Sequence, residues 1–547
     1  MLQARMNPFP GLRPFGEEED YLFFGREEQT NDLLELLRTQ RFLAVVGTSG
    51  SGKSSLVRAG MLPSLYGGTM ASVGSDWETV VFRPGGDPLL NLADAMIDAD
   101  LYDPEDPEAR LQVRATLSRS RQGLVQAVEY SDIPAGSNLL IVVDQFEELF
   151  RFRGTSDKHQ ELATAFVKLL LNAAKCQTQS IYVVITMRSD YLGDCAHLPG
   201  LAEAVNDGKY LIPKLTRDQR RDAIVMPAAV GGGKISESLV QQLLNDVGDD
   251  ADQLPILQHA LMRIWDYWEH DHADDEPVSL RHYDAAGGMD NALSNHADEV
   301  YDELPDDESR ALARLIFQAI TERAGDERGI RRPTRMDQLC HIVDAGHADL
   351  QVVLDAYRKV GRTFVMPIEG KEITEETVVD ISHESLMRVW RRLTRWVEEE
   401  SQNARVYTRL AETAELHERE LAGVYRDPDL AIALSWRETA SPTATWGQRY
   451  REGFERAISF LEKSYETTRA EEIAREEARE RELEQAKLVA TLQSRAKKRL
   501  TVLMGCIAVA LLVSIVMYFD SLDARDEAEN SRNKAIAAAD ESKRLAV

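Results

Sequence analysis

Unbroken apolar runs alternate with helix-like polar stretches over the first 215 residues. Phe42–Val46 (FLAVV), Leu139–Val143 (LLIVV) and Ser180–Thr186 (SIYVVIT), with a shorter TVVF at Thr79–Phe82, leave no polar face for solvent. Such runs predict parallel strands covered on both sides, and their alternation with helices such as Glu27–Leu37 predicts an α/β parallel sheet. From Thr216 to about His296 the period changes. Leu239, Leu243, Leu244 and Val247, then Leu257, Leu261 and Ile264, recur at helical spacing. Between Glu308 and Trp396 two amphipathic helices precede two strands, Phe364–Ile368 and Thr377–Ile381, turned around Gly370, and a further helix. That order predicts a winged helix.

Beyond Ser401 the pattern stays helical, then changes composition twice. Residues 465–499 are densely charged, with Glu471/Arg475 and Glu477/Arg481 spaced to pair along a helix. Leu500–Phe519 (LTVLMGCIAVALLVSIVMYF) carries no charge and is long enough to cross a bilayer core once. The expected organisation is therefore an N-terminal segment (1–25), a P-loop domain (26–215) holding the G-x-x-x-x-G-K-S run at 47–54, a helical lid (216–298), a winged-helix domain (299–398), a helical domain (399–464), a charged stalk (465–499), a transmembrane helix (500–519) and a polar helical tail (520–547).

Charge orients this picture. The chain has 64 Lys and Arg against 92 Asp and Glu, a net charge of −28, which argues against a broad nucleic-acid surface. Arg495, Lys497, Lys498 and Arg499 precede the apolar run and Asp520, Asp523 and Asp526 follow it, which predicts a single-pass protein with its N-terminal bulk cytoplasmic. The first residues lack the apolar core of a secretory signal. Four scattered cysteines show neither paired nor zinc spacing, which fits a reducing compartment and implies no metal beyond Mg²⁺.

The first apolar run flows into GTSGSGKSS. In this G-x-x-x-x-G-K-S pattern Gly47, Gly50 and Gly52 let backbone N–H groups of Gly47, Thr48, Ser49, Gly50, Ser51, Gly52 and Ser55 turn toward phosphates, Lys53 neutralises them, and the Ser54 hydroxyl takes a place around Mg²⁺. Asp144, at the tip of the second long run, is the expected second Mg²⁺ ligand. Glu147 and Glu148 follow, and either could orient an attacking water or simply form a solvated acidic helix start. Arg188, at the tip of SIYVVIT, is placed to sense a γ-phosphate.

Together NPFPGLRPFGEEEDYLFFGREEQTNDLLELL, VVGTSGSGKSSLVRAGMLPSL, VVDQFEELF and LPILQHAL resemble the NTPase module of the type-1 novel STAND family, over about residues 7–470. The resemblance implies an ASCE/AAA-like core and a regulatory switch that rests with ADP, exchanges it for ATP and oligomerises, hydrolysing slowly if at all, in settings such as bacterial defence or stress signalling. It implies that Phe23, Phe24, Gly25 and Arg26 lie against adenine and ribose, that Pro255 packs near the base, and that His383 touches the β-phosphate of ADP. Ser382 could cap the helix at this strand-to-helix junction, where the imidazole could meet a phosphate; His383 packed under the hairpin is the alternative. Gln145 and Glu147 depart from the pattern common in the wider class, which weakens the case for vigorous hydrolysis. A sensor is expected in a partner protein or in a C-terminal domain of a longer chain. Two other functions remain open: a membrane scaffold with a structural nucleotide site, and a winged-helix DNA binder using Arg358, Lys359 and Arg362.

Overall fold

The computed structural model describes residues 6–70, 76–134, 136–151, 157–248, 253–324 and 328–544. The apolar runs form β1 (Phe42–Gly47), β2 (Trp77–Phe82), β3 (Asn138–Val143) and β4 (Ile181–Arg188), joined by β5 (Lys209–Leu211). All neighbours pair in parallel, in the order β2-β3-β4-β1-β5. Alternate residues of each run enter opposite layers. Ala44, Val46, Ile141, Val143, Val183 and Ile185 pack into one core, and Leu43, Val45, Leu140, Val142 and Val184 into the other. That two-sided burial is why the sequence shows runs rather than alternation. β5 is three residues on the sheet edge and half exposed, so no apolar run announces it.

Register aligns the chemistry. β4 lies between β1 and β3, with Gly47 opposite Arg188 and Val143 opposite Ile185. The P-loop, Asp144 and Arg188 thus share the carboxyl edge of the sheet, where open α/β sheets bind ligands.

After β5, Thr216 starts the next helix with a reciprocal cap: its hydroxyl accepts from the Gln219 N–H and the Gln219 amide oxygen accepts from the Thr216 N–H. Helices Arg217–Val230, Glu237–Asp246 and Gln253–His270 bury Leu239, Leu243, Leu244, Leu257, Leu261 and Ile264 in one cluster. Phe9 joins that cluster, and Asn7 donates to the Met262 carbonyl at 2.9 Å and the Asp266 carboxylate at 2.8 Å. These anchors lay the N-terminal segment across the lid and deliver Pro10–Phe15 to the sheet edge.

Next come helix Asp307–Ala319, the hairpin β6 (Thr321–Ala324) and β7 (Arg328–Arg331), β8 (Thr334–Arg335), helices Met336–Val343 and His347–Arg358, β9 (Val365–Met366) and β10 (Val378–Ile381). β8, β10 and β9 form an antiparallel sheet. The hairpin around Gly370 is present but shorter than expected, since Pro367 has no N–H to continue β9. Arg358 is buried and donates to Asp355 at 2.6 Å and the Lys371 carbonyl at 2.6 Å, while Arg362 pairs with Glu303. Two of the three cations required for DNA binding are thus engaged internally.

A histidine pair sits where this block meets the lid. His259 Nε2 and His296 Nδ1 are 3.1 Å apart, both residues are buried, and Phe364 packs on both rings. Burial, reinforced by Arg263, pulls the His259 pKa down to about 3. Burial, with His259, Arg263 and Arg362, pulls His296 down as well. A lowered histidine pKa means the unfolded chain takes protons that the folded chain refuses. Stability should therefore be full above about pH 6.5 and fall below it, by at most about 1.4 kcal/mol per pH unit per histidine. Melting midpoints between about pH 6.5 and 5, above most carboxylate titrations, should show a slope that His296→Gln flattens. An equal slope in the variant would refute this assignment.

The chain divides into two compact units, Met1–Val406 with Pro442–Glu452, and Tyr407–Ser441 with Gly453–Val547, so residues 399–464 contribute to both. In the second, helix Asp429–Ala440 packs on the helix that begins at Phe454, and Tyr407 stacks on Trp436 at 6.1 Å. The expected stalk, span and tail are one helix, Phe454–Arg544. Glu477 and Arg481 pair at 2.9 Å along it, and Glu471 and Arg475 at 3.9 Å. It contains a stretch long and apolar enough to cross a membrane, a candidate span that lies exposed in the structure.

Candidate nucleotide-binding site

The loop after β1 turns on Gly50 (φ +70°) and Gly52 (φ +86°), backbone conformations that a Cβ disfavours. Helix begins at Lys53 and passes through a π-helical segment, Leu56–Met61. Lys53 is buried, and its ammonium donates to the Gly47 carbonyl at 3.1 Å and the Thr48 carbonyl at 2.7 Å. Burial lowers its pKa, with Glu147 and Asp144 acting against that shift. Those two carbonyls hold the lysine in place for a phosphate.

Arg26 braces the loop from outside. Its guanidinium donates to the Pro213 carbonyl at 2.8 Å and the Ser51 carbonyl at 3.2 Å, and burial lowers its pKa to about 10. The preceding Gly25 has φ +84°, and a Cβ there would meet the Gln219 carbonyl oxygen at 2.4 Å. Glycine at 25 therefore lets the N-terminal segment pass against the lid.

Asp144 follows β3 and is fully buried. One carboxylate oxygen accepts from the hydroxyls of Ser54 and Thr186, each at 2.7 Å, and the other lies 3.4 Å from Arg58 on the π-helical segment. Burial works to raise its pKa, but Arg58, Arg83 and the two hydroxyls outweigh it and keep the acid ionised. Ser54 and Asp144, the two expected Mg²⁺ ligands, meet at one point. Among the described residues no cluster of three His, Cys, Asp or Glu side chains forms a metal cage. The donor set fits a hard ion that takes its remaining oxygens from phosphate and water.

The two glutamates separate. Both are buried, so neither is a solvated helix start. Glu148 accepts the Gly85 N–H at 3.1 Å, tying the ends of β2 and β3. Glu147 instead lines the cavity beside Lys53 and Arg188. Gln145, held at φ +58°, donates its N–H to Thr186 at 2.9 Å and accepts from Arg331 at 2.6 Å.

Arg188, Arg331 and His383 close the cavity from the far side. Arg188 Nη1 donates to both Glu384 oxygens, at 2.7 and 2.6 Å, and its Nε donates to Asp190 at 3.2 Å. Burial opposes the charge on Arg188, but Asp190, Glu384 and Glu147 raise its pKa. Arg331, from β7, also donates to Asp380 at 3.0 Å. His383 Nδ1 accepts the Ser385 N–H at 3.1 Å and bonds the Ser385 hydroxyl. That leaves Nε2–H as the ring's free donor. Burial, with Arg331, lowers its pKa to about 3, so the ring is neutral. Ser382 is not the expected cap: helix Ser385–Val389 has no side-chain cap, and the buried Ser382 hydroxyl has no hydrogen-bond partner among the described residues.

The cavity has a volume of about 150 Å³ and is bounded by the P-loop, Arg13–Phe15, Leu254–Pro255, Arg331 and Ser382–Glu384. A second cavity of about 70 Å³ is apolar, walled by Leu22, Phe23, Phe24, Leu215, Ala223 and Leu257. The two share Phe15, Gly52, Ser55, Leu254 and Gln258, and the Gln258 amide oxygen is buried without a partner among the described residues. A polar chamber on the P-loop joined to an apolar one suits a nucleotide, phosphates in the first and base in the second. Phe24 and Arg26 line the apolar cavity; Pro255 lines the polar chamber, its neighbour Leu254 lines both, and Leu257 lines the apolar one.

Residues 8–422 match the family described as Novel STAND NTPase 1. The chain belongs to this family. No curated protein matches the sequence. Solved structures similar to this novel STAND NTPase include the Walker-type ATPase PABY2304 of Pyrococcus abyssi, 13% identical over 69% of this chain and 98% of that one with a TM-score of 0.31. Others are Cdc6p of Pyrobaculum aerophilum, 15% identical over 69% and 94% with a TM-score of 0.31, and the ORC2 protein of Aeropyrum pernix, 12% identical over 69% and 94% with a TM-score of 0.37.

Several residues of the novel STAND NTPase site have no role assigned from the sequence. Thr186 is a hydroxyl at the end of a largely apolar run. Arg58 and Arg13–Phe15 lie within the quoted motifs, Arg58 one turn beyond the P-loop serine. Arg331 and Glu384 carry no local mark, because only the tertiary fold brings them to the sheet edge.

Proposed function

We propose that the protein is a membrane-anchored ATP/ADP switch that exchanges nucleotide, changes its self-association and signals, in bacterial defence or stress responses. The carrying observation is the composition of the cavity: the nucleotide chamber is walled by the N-terminal segment, the P-loop sheet, the lid and the Ser382–Glu384 segment together. A ligand there touches all four of these parts, so its phosphate content biases how they close. The order helix, β8, two helices, β9 and β10 is that of a winged helix, which here serves as a latch. His383 presents Nε2–H to a β-phosphate, and Phe23 and Phe24 take the base. The apolar stretch Leu500–Phe519 anchors the chain, with the N-terminal bulk cytoplasmic.

Mg²⁺ held by Ser54 and Asp144 supplies charge neutralisation to the phosphates. Lys53 binds and orients them, and Glu147 accepts a proton from water at the chamber wall. Hydrolysis is slow and resets the switch. Glu147→Gln is expected to cut turnover by about 100-fold while nucleotide still binds, the range for losing a positioned base. Glu148→Gln should chiefly lower the melting midpoint, since Glu148 ties Gly85. Phosphate release assays and melts on both variants distinguish them, and equal turnover loss in the two would reject this division of roles.

The switch itself is tested with the full chain purified in detergent. Acid extraction should release bound ADP, and light scattering should give a larger protein mass with ATP and Mg²⁺ than with ADP. The same mass with each nucleotide rejects the switch in favour of a structural nucleotide site.

A further inference from the structure

We infer that Glu384 sets the diphosphate-over-triphosphate preference of this site, by occupying the arginine that a γ-phosphate would need. The inference rests on the nucleotide switch proposed above.

Arg188 stands opposite Gly47 across the β1–β4 pairing, at the chamber that also holds Lys53. Its guanidinium is shared out: Nε and Nη2 go to Asp190, and Nη1 goes to both oxygens of Glu384. The Arg188 and Glu384 side chains are 14% and 13% exposed, so the pair is largely screened from water. Glu384 comes from a distant part of the chain, directly after His383 and before helix Ser385–Val389. The same short segment therefore offers a neutral N–H donor through His383 and a negative charge through Glu384.

Those two groups treat the two nucleotides oppositely. A diphosphate on the P-loop takes Lys53 from the loop carbonyls and meets the His383 donor, while Arg188 and Glu384 stay paired. A triphosphate brings more negative charge toward Arg188. In a site of low effective dielectric, a carboxylate and a phosphate competing for one guanidinium repel far more strongly than in water. Either the γ-phosphate forgoes Arg188, or Glu384 withdraws, taking with it the segment that carries His383. Arg331 bears on the same balance, since it also faces Glu384 and holds the backbone-strained Gln145. Glu384 is thus a specificity-determining residue acting through Arg188, and no bond is made or broken in its role.

Binding of ADP and of the non-hydrolysable analogue AMP-PNP, each with Mg²⁺, would be measured by calorimetry on the full chain in detergent. Glu384→Gln keeps the size of the side chain, removes its charge and leaves one acceptor oxygen where Arg188 now meets two. The ratio of AMP-PNP to ADP affinity should rise by about tenfold, within the usual range for coupling between elements. Glu384→Asp should retain the wild-type ratio. In an Arg188→Gln background the Glu384→Gln change should no longer move the ratio, which a merely structural ion pair would not predict. An unchanged ratio in Glu384→Gln, with both nucleotides still bound, overturns the inference and leaves the switch intact. Wild-type protein that binds neither nucleotide overturns the switch itself. Melting curves confirm that each variant is folded, and Glu384→Asp together with the Arg188→Gln background keeps the test decisive if Glu384→Gln unfolds.

Discussion

Lys53→Ala should lower the affinity for both ADP and ATP by about 100-fold or more. The ammonium is held by the P-loop itself, through the Gly47 and Thr48 carbonyls. Phosphate oxygens would replace two neutral acceptors with charged ones, and charge-assisted bonds are the stronger kind. Removing a buried partner of such a pair costs a few kcal/mol, which sets the 100-fold scale. The folded state should not suffer comparably. Burial already disfavours the lysine's charge, so Lys53→Ala removes an unfavourable desolvation along with two hydrogen bonds. Calorimetry for affinity and thermal melts for stability therefore move apart. Unchanged affinity would remove the P-loop from the nucleotide site. Lost affinity with unaltered self-association and signalling would leave a scaffold rather than a switch.

What the sequence reveals follows from how local each signal is. β1, β3 and β4 are legible because burial on both faces makes most of each run apolar, and the residues ending them are those at the sheet's carboxyl edge. β5 and the β6–β7 hairpin are invisible: one is a half-exposed edge of three residues, and the other pairs short polar segments such as Arg328–Arg331. The same distinction governs the site. Lys53, Ser54 and Asp144 sit in motifs, and the fold brings them together. Arg188 was legible as a cation at a strand tip, but its partner Glu384 lies 196 residues away, beyond the reach of any spacing rule. Pro255 lines the polar chamber while Leu257, two residues on, lines the apolar one, a division that no spacing in the sequence marks. The stalk and span looked like separate elements because composition changes at residue 500. No proline interrupts Phe454–Arg544, however, and helix propensity carries one element through both compositions.

Trp390→Ala should be the most damaging single change to the proposed latch, costing about 3–5 kcal/mol in its local stability. Trp390 is fully buried, with ring centroids 5.0 Å from Phe317, 5.9 Å from Tyr357 and 5.3 Å from Trp396. Its indole N–H donates to Asp298 at 2.9 Å, and Arg392 also donates to that oxygen, at 2.6 Å, so the main loss is packing rather than a stranded charge. The position matters as much as the size. Trp390 follows helix Ser385–Val389 directly, and so pins the segment that carries His383 and Glu384 to the core. Emptying its pocket should loosen that segment before it disturbs the parallel sheet, whose cores are separate clusters. Hydrogen exchange should therefore quicken over residues 347–397 while β1, β3 and β4 keep their protection, and ADP should dissociate faster. Trp390→Phe should restore most of both. Unchanged exchange in that region, or loss of protection spread evenly over the sheet, would show that the latch is not held by this aromatic core. Glu384→Gln offers the contrast: it should favour the triphosphate by altering charge at the chamber, with the aromatic packing behind it intact.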